Sequence, residues 1–344
     1  MDLEIDTYSS CIIKNTPYNI KKISNKLLEG GLIIYPDECN FELGCDGLNE
    51  NAIEHLYSIK KKCFNEPIKL NCLGFNDILP LVNLTEKETE LFKLIVENVW
   101  PGPLSILLRA NTEIIPKKLV NKNGYTCFNS PKHPLIRKLI QFVSSPIASS
   151  GANISSEIKS TCLEHVLNYF GDIKIDIFDD NYICKYGYET TLIKINNSKI
   201  DFIRRGPILL DNLKDIISSH NFDIEYNCVE INKNIKNKKK IFTFNIIDLE
   251  NIKINQSIID NYLDNTFLID FNKLCLKYKK KFLGYVDLSE EGDSIEGLFN
   301  LYNVLHQIDK IECNQIFIYD FSFIEDDSNN LLWDKCLKMS QKCL

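Results

Sequence analysis

Apolar residues recur along this chain at two periods, and the switching between them predicts alternating helices and strands. Residues 19–29, NIKKISNKLLE, have helical spacing and stop at Gly30-Gly31, which opens into an apolar run from Leu32 to Tyr35 that reads as a buried strand. Residues 51–62 repeat the helical period, with Ile53, Leu56, Tyr57 and Ile59 on one side. Residues 85–99 predict a third helix, opened by a Thr N-cap and stopped by Pro101. Strand-like runs follow at 104–109, 125–129, 190–195 and 200–203, with helices at 134–143 and 161–170. Such alternation indicates an α/β domain.

The pattern then restarts. KKIFTFNII, TFLIDF, KFLGYVDLS and NQIFIYDF read as four short strands, and 255–263, 271–280, 294–308 and 329–341 read as helices. The helix at 294–308 carries an apolar stripe of Ile295, Leu298, Leu301, Tyr302, Leu305 and Ile308. These elements predict a second, smaller α/β domain at 241–344, after a first domain at 1–212 and a linker at 213–240.

Charge separates these parts. The net charge of −7 divides into −2 for 1–212, +2 for 213–240 and −7 for 241–344. An acidic chain is a poor general nucleic-acid binder, whose affinity rests on a basic surface. The five lysines of NKNIKNKKK (232–240) read as a solvated linker before they read as an RNA patch. Thirteen cysteines are scattered without a CxxC pair, which suggests free thiols in a reducing compartment and neither a disulfide framework nor a zinc site. No apolar run approaches the roughly 18 residues of a membrane span, and MDLEIDTYSS lacks a leader pattern, so the expected setting is the cytoplasm.

Four stretches carry candidate chemistry. PDECNFELGCDG, Pro36 to Gly47, reads as a polar loop after a strand and sets Asp37, Glu38 and Glu42 among small residues. Lys60, Lys61 and Lys62 end a helix, where cations suit the dipole or could receive an anion. WPGPLSILLRA turns into a strand ending at Arg109. PIASSGANIS offers small and hydroxyl-bearing residues before an expected helix, a composition that lets backbone N–H groups approach phosphate. Each alone is weak, because loops of this kind are common. The five histidines have no nucleophile or metal partner nearby in sequence and read as structural.

Together the stretches are specific. Tyr-Pro-x-Glu, Leu-Gly-Cys-Asp, Ile-Lys, Trp-Pro-Gly-Pro-Leu, Pro-x-His-Pro, Pro-Ile-Ala, Ala-Asn-x-Ser and Gly-x-Glu-x-Thr follow one another in this order. By these motifs, over roughly residues 15–212, the chain resembles the YrdC-like family and its two-domain threonylcarbamoyl-AMP synthases. GYVDLSEEGDSIEGLFNLYNVLHQID resembles the small C-terminal domain of the longer members. The resemblance implies a YrdC-like twisted open sheet with flanking helices, followed by a Rossmann-like α/β domain. It also implies a reaction: threonine, bicarbonate and ATP, with magnesium on the phosphates, give threonylcarbamoyl-AMP and pyrophosphate. A partner complex then passes the threonylcarbamoyl group to tRNA. A non-catalytic nucleotide- or RNA-binding protein of the same fold is the alternative.

Carried over by position, the resemblance implies ATP binding at Lys60, Lys62, Ser105, Gly151, Asn153, Lys159 and Arg204. It implies threonine binding at Asp37, Arg109, Ser149 and Thr190, with no protein metal ligand and no assigned acid or base. Several of these depart from the family. Asp37 and Cys39 stand where it has threonines, Glu42 where it has glycine, and Gly151 and Lys159 where it has serines. Lys62 and Asn129 replace arginines, Asn71 stands near a family histidine, and Arg205 replaces the proline of Arg-Pro-Gly. A carboxylate at Asp37 would repel an anionic ligand unless a cation intervenes, and Lys159 and Arg205 are expected to supply that compensation.

Overall fold

The computed structural model describes residues 11–61, 68–179, 181–182, 184–226, 239–244, 264–324, 327–340 and 342–343. They fall into two compact units, the first formed by 1–155 with 159–230 and the second by 156–158 with 231–344.

The first unit is built on one mixed sheet. Its strands are β1 (Cys11–Ile13), β2 (Ile33–Pro36), β3 (Phe41–Asp46), β4 (Lys69–Asn71), β5 (Gly102–Arg109), β6 (Tyr125–Ser130), β7 (Ile147–Gly151), β8 (Asp176–Phe178), β9 (Thr191–Asn196), β10 (Lys199–Arg204) and β11 (Asp223–Tyr226). Their order across the sheet is β1-β8-β2-β3-β7-β4-β6-β5-β9-β10-β11. Helix Pro17–Leu28 ends as its sequence predicts. Gly30, at φ +86°, and Gly31 donate to the carbonyls of Leu27 and Lys26 at 2.9 and 2.8 Å, and the chain turns into β2.

Strand alternation divides the sheet into two unlike faces. On one, Ile34, Leu43, Leu70, Ile106, Phe128, Ala148 and Ile193 form the main core with residues of helices Glu50–Ile59 and Glu86–Val99. On the other, Ile33, Tyr35, Ile147 and Phe178 pack with residues of helices Pro17–Leu28 and Pro134–Val143. The in-register pairs Tyr35↔Glu42, Glu42↔Gly151, Ser149↔Lys69, Asn71↔Asn129 and Asn129↔Ser105 carry that second face onward in polar residues. This polar stretch is what the fold positions.

One local expectation is corrected here. The stretch 36–47 is a β-hairpin and not an open loop, because Phe41, Leu43 and Cys45 turn one side of β3 into the main core. Within PIASSGANIS, residues 147–151 form strand β7, and the helix expected after it starts at Leu163.

The second unit holds β12 (Lys240–Phe244), β13 (Thr266–Asp270), β14 (Gly284–Asp287), β15 (Gln315–Tyr319) and β16 (Lys342–Cys343), all paired parallel in the order β14-β13-β15-β12-β16. Helices Ser294–Asp309 and Asp327–Met339 accompany them, the first capped by Asp293 accepting from the N–H of Ile295 and Glu296. This is the second, smaller α/β domain that the sequence pattern predicts, in the Rossmann-like arrangement that the resemblance implies. The helix expected at 271–280 is instead a series of turns and a 3-10 segment, Leu276–Lys281, with Tyr278 buried among Leu268, Cys275 and Phe317. The helix expected at 255–263 lies outside the described residues.

Candidate functional site

Asp37, Glu38, Asn40 and Glu42 are all buried at the β2–β3 hairpin. Four polar residues in so little space need partners. The Asp37 carboxylate accepts from the N–H of Glu38 at 2.7 Å and pairs with the Lys69 ammonium at 3.3 Å. The same ammonium lies 3.2 Å from Glu42 Oε1, which also accepts from Asn40 Nδ2 at 2.9 Å. Lys69 is thus the cation between the two inherited-position carboxylates. It corrects the expectation that Lys159 and Arg205 would neutralise them: Lys69 on β4 stands opposite Ser149 on β7, next to β3.

The charges respond to one another. Burial pushes the Asp37 carboxyl up, but Lys69 and the Glu38 N–H outweigh it and hold Asp37 below the ordinary range. Burial would push Lys69 down, yet Glu42 and then Asp37 hold it well above its usual value. Glu38 moves the other way. Burial, followed by the charge of Asp37 and a hydrogen bond with it, pushes Glu38 up to about 9. The Glu38 side chain accepts the N–H of Lys132 at 3.1 Å, and its carbonyl accepts that of Tyr186 at 3.0 Å, so a neutral acid ties three segments together.

Glu38 gives a pH prediction. Its folded value lies above the unfolded one, so the folded state holds the extra proton between about pH 4.5 and 9, and stability falls as pH rises through that window. Glu38→Gln is expected to remove this slope, which is at most about 1.4 kcal/mol per pH unit. Urea unfolding at pH 5 and pH 8 checks it. Parallel profiles for wild type and variant would show that Glu38 is already ionised in the folded state.

A neutral network continues across the face. Asn71 Nδ2 donates to Ser149 Oγ at 2.8 Å and to the Tyr35 hydroxyl at 3.0 Å, and Asn129 Nδ2 donates to Asn71 Oδ1 at 3.3 Å. Ser105 Oγ lies 2.6 Å from Thr190 Oγ1. Arg204 donates to the Thr190 carbonyl from Nε and Nη2 at 3.1 and 2.9 Å, and to Thr190 Oγ1 at 3.2 Å. Gly206 makes this approach possible: a Cβ there would stand 2.1 Å from the Thr191 nitrogen. Cys127, on the same face, has its thiol pushed up by burial, against the opposing charges of Arg204 and Lys69.

The loop after β7 is held from below. Lys60, buried and capping helix Glu50–Ile59, donates through Nζ to the carbonyl of Gly151 and, at 2.7 Å, to that of Asn153. The Lys159 ammonium stands 3.1 Å from where a Gly151 Cβ would sit, and Asn40 Nδ2 stands 3.3 Å from it. Glu42 faces Gly151 across the strands, so a large residue and a small one meet where the resemblance implies a small one on each side.

The structure therefore brings Asp37, Ser149, Gly151, Ser105, Thr190 and Arg204 onto one polar face, with Lys60, Asn153 and Lys159 at the loop beside it. Arg109 shares the face but sits at its exposed rim, four residues along β5 from Ser105. There its guanidinium lies 5.2 Å from the Tyr125 ring centroid. Lys62 lies outside the described residues. Lys69 is the residue that sequence reasoning missed. The alternation of Ile68 and Leu70 with Lys69 and Asn71 was the available signal for a short strand with one polar side. His133 caps a helix, its Nδ1 accepting the Leu135 N–H. Among the described residues, no group of three or more His, Cys, Asp or Glu side chains is placed to hold a metal ion, and no helix is long and apolar enough to cross a membrane.

Comparison with known proteins places this face in context. The Sua5/YciO/YrdC family model, described as "Telomere recombination", matches residues 25–206, more than half of the chain. The chain belongs to this family. The threonylcarbamoyl-AMP synthase of Pyrococcus abyssi is 26% identical over 201 residues, a stretch covering 58% of this chain and 57% of that protein. Its Bacillus subtilis counterpart is 25% identical over 197 residues, covering 57% and 56%. Among solved structures, P. abyssi Sua5 complexed with L-threonine superposes with a TM-score of 0.78 at 20% identity, covering 97% of this chain and 98% of that one. At that identity the likeness establishes the fold, over both units.

Proposed function

We propose that this chain forms threonylcarbamoyl-AMP and pyrophosphate from threonine, bicarbonate and ATP, as a nucleotidyltransferase acting toward threonylcarbamoyl-adenosine in tRNA. The observation that carries the reading is the continuous polar face from Asp37 to Arg204, lying within the segment that matches the family. Relatives named threonylcarbamoyl-AMP synthase and a threonine-bound neighbour of the same fold support it.

The chemistry asks for positioning and charge neutralisation. The amine of threonine takes up carbon dioxide, and the resulting carbamate attacks the α-phosphate of ATP in line, releasing pyrophosphate. The loop held by Lys60 opens at Gly151, where the absence of a side chain leaves room for a phosphate oxygen to approach the backbone. Lys159 adds positive charge beside that loop, and Arg204 adds it at the Ser105–Thr190 end of the face. Magnesium enters with ATP as part of the substrate. Ser105, Thr190 and Ser149 supply hydroxyls for threonine, and Arg109 a cation at the rim. Transfer to tRNA would fall to a partner complex in the cytoplasm.

The altered hairpin supports a second reading, a nucleotide-binding protein without chemistry, because Asp37 and Glu42 place negative charge where the family has none. Labelled bicarbonate separates the two. The synthase reading expects label in an acid-labile adenylate only when threonine and ATP are both present. A protein whose melting temperature rises with ATP, yet which incorporates no label, is the binder.

A further inference from the structure

Glu42 holds one feature that the ion pairs leave unexplained. Its Oε1 meets Lys69 and Asn40, but Oε2 is buried and has no hydrogen-bond partner among the described residues. An ionised carboxylate offers acceptor sites on both oxygens, and an unmet buried acceptor is costly. The facing residue on β7 is Gly151, so no side chain reaches across to fill the vacancy. Two carboxylates, Asp37 and Glu42, share one ammonium, which leaves negative charge in excess at that point. Lys60 does not supply the balance, because its Nζ turns to the carbonyls of Gly151 and Asn153. The cluster reaches the surface at Lys69, whose side chain is 13% exposed. What complements an unmet acceptor in excess negative charge is a cation carrying N–H donors.

We propose that Glu42 Oε2 is the receptor for a primary ammonium group, which makes Glu42 the residue that selects an amine-bearing ligand for this polar face. The inference rests on the amino-acid reading above and deepens it, naming the group that reads the amine. Glu42 accepts one N–H of the ammonium and offsets its charge, while Lys69 keeps Oε1 and Asp37 occupied.

Calorimetry on the full chain tests this with three probes: L-threonine, 3-hydroxybutanoate (the same skeleton without the amine) and methylammonium. Threonine is expected to bind and 3-hydroxybutanoate not to. Glu42→Gln, nearly isosteric, is expected to weaken threonine by about tenfold or more, in line with a charge-assisted hydrogen bond. Its fold is checked by circular dichroism. Equal threonine affinity in wild type and Glu42→Gln would overturn the role of Glu42 and leave the amino-acid reading standing. If threonine fails to bind but methylammonium binds wild type and not the variant, the ammonium site stands and the threonine reading falls. Should Glu42→Gln not fold, the wild type decides. Binding of 3-hydroxybutanoate as tight as that of threonine overturns the proposal.

Discussion

Replacing Lys69 with methionine is expected to destabilise the first unit by about 3–5 kcal/mol near pH 7, the usual cost of stranding buried charge. The loss has two parts. Asp37 and Glu42 are both buried, and their ion pairs both run to this ammonium. Without it, two carboxylates face each other in a medium that solvates neither. The pH dependence identifies the cause. In the wild type, the lowered Asp37 contributes stability that is present above its unfolded pKa and is lost as pH falls through the folded value. In Lys69→Met that contribution is gone, and protonating the stranded carboxyls relieves their repulsion. The penalty should therefore be largest between pH 7 and 8 and shrink toward pH 4. Urea unfolding across that range checks it. A penalty independent of pH would mean that Lys69 acts by packing alone.

Lys60→Ala carries the second large effect, on ligand and not only on fold. The Lys60 ammonium holds the carbonyls of Gly151 and Asn153, the two ends of the turn that follows β7. Charge-assisted hydrogen bonds contribute roughly 1.5–3 kcal/mol each. Losing the equivalent of one of them, through the loop they fix, should weaken ATP by about tenfold to a hundredfold. Titration of the melting temperature with ATP reads this directly. Unchanged ATP affinity would remove Lys60, and the loop it supports, from the nucleotide site.

These two lysines mark the limit of what the sequence made legible. Lys60 was legible because its neighbours form a motif: a helix ends, Ile-Lys follows, and the family places a cation there. Lys69 belongs to no such motif. Its importance depends on β4 lying beside β7 and one strand from β3, a long-range order that local periodicity does not encode. Helix Glu86–Val99 could be read directly, since it buries one side, and strand Gly102–Arg109 as a continuous run buried on both. The hairpin at 36–46 was obscured by its carboxylates. Glu42 alternates with Phe41 and Leu43 as a strand residue should, but a buried carboxyl side chain at a polar-facing position mimics a loop.

The departures from the family are also connected in space, which the sequence alone presents as scattered. Glu42 for glycine lies opposite Gly151 for serine, and Asp37 for threonine shares its cation with Glu42. A Cβ at residue 151 would press on Asn40 and Lys159, the first of which holds Glu42. These substitutions form one connected cluster around Lys69 and not a set of independent losses. That is the physical argument for a rewired pocket over a decayed one.

Pyrophosphate release from ATP, magnesium and bicarbonate, measured with and without threonine, tests this account most directly. Release that depends on threonine is the predicted result, and it would make the Asp37–Lys69–Glu42 cluster part of a working site. Binding of ATP with no threonine-dependent release would contradict the account and leave a protein that kept the fold and the loop of its family without the reaction.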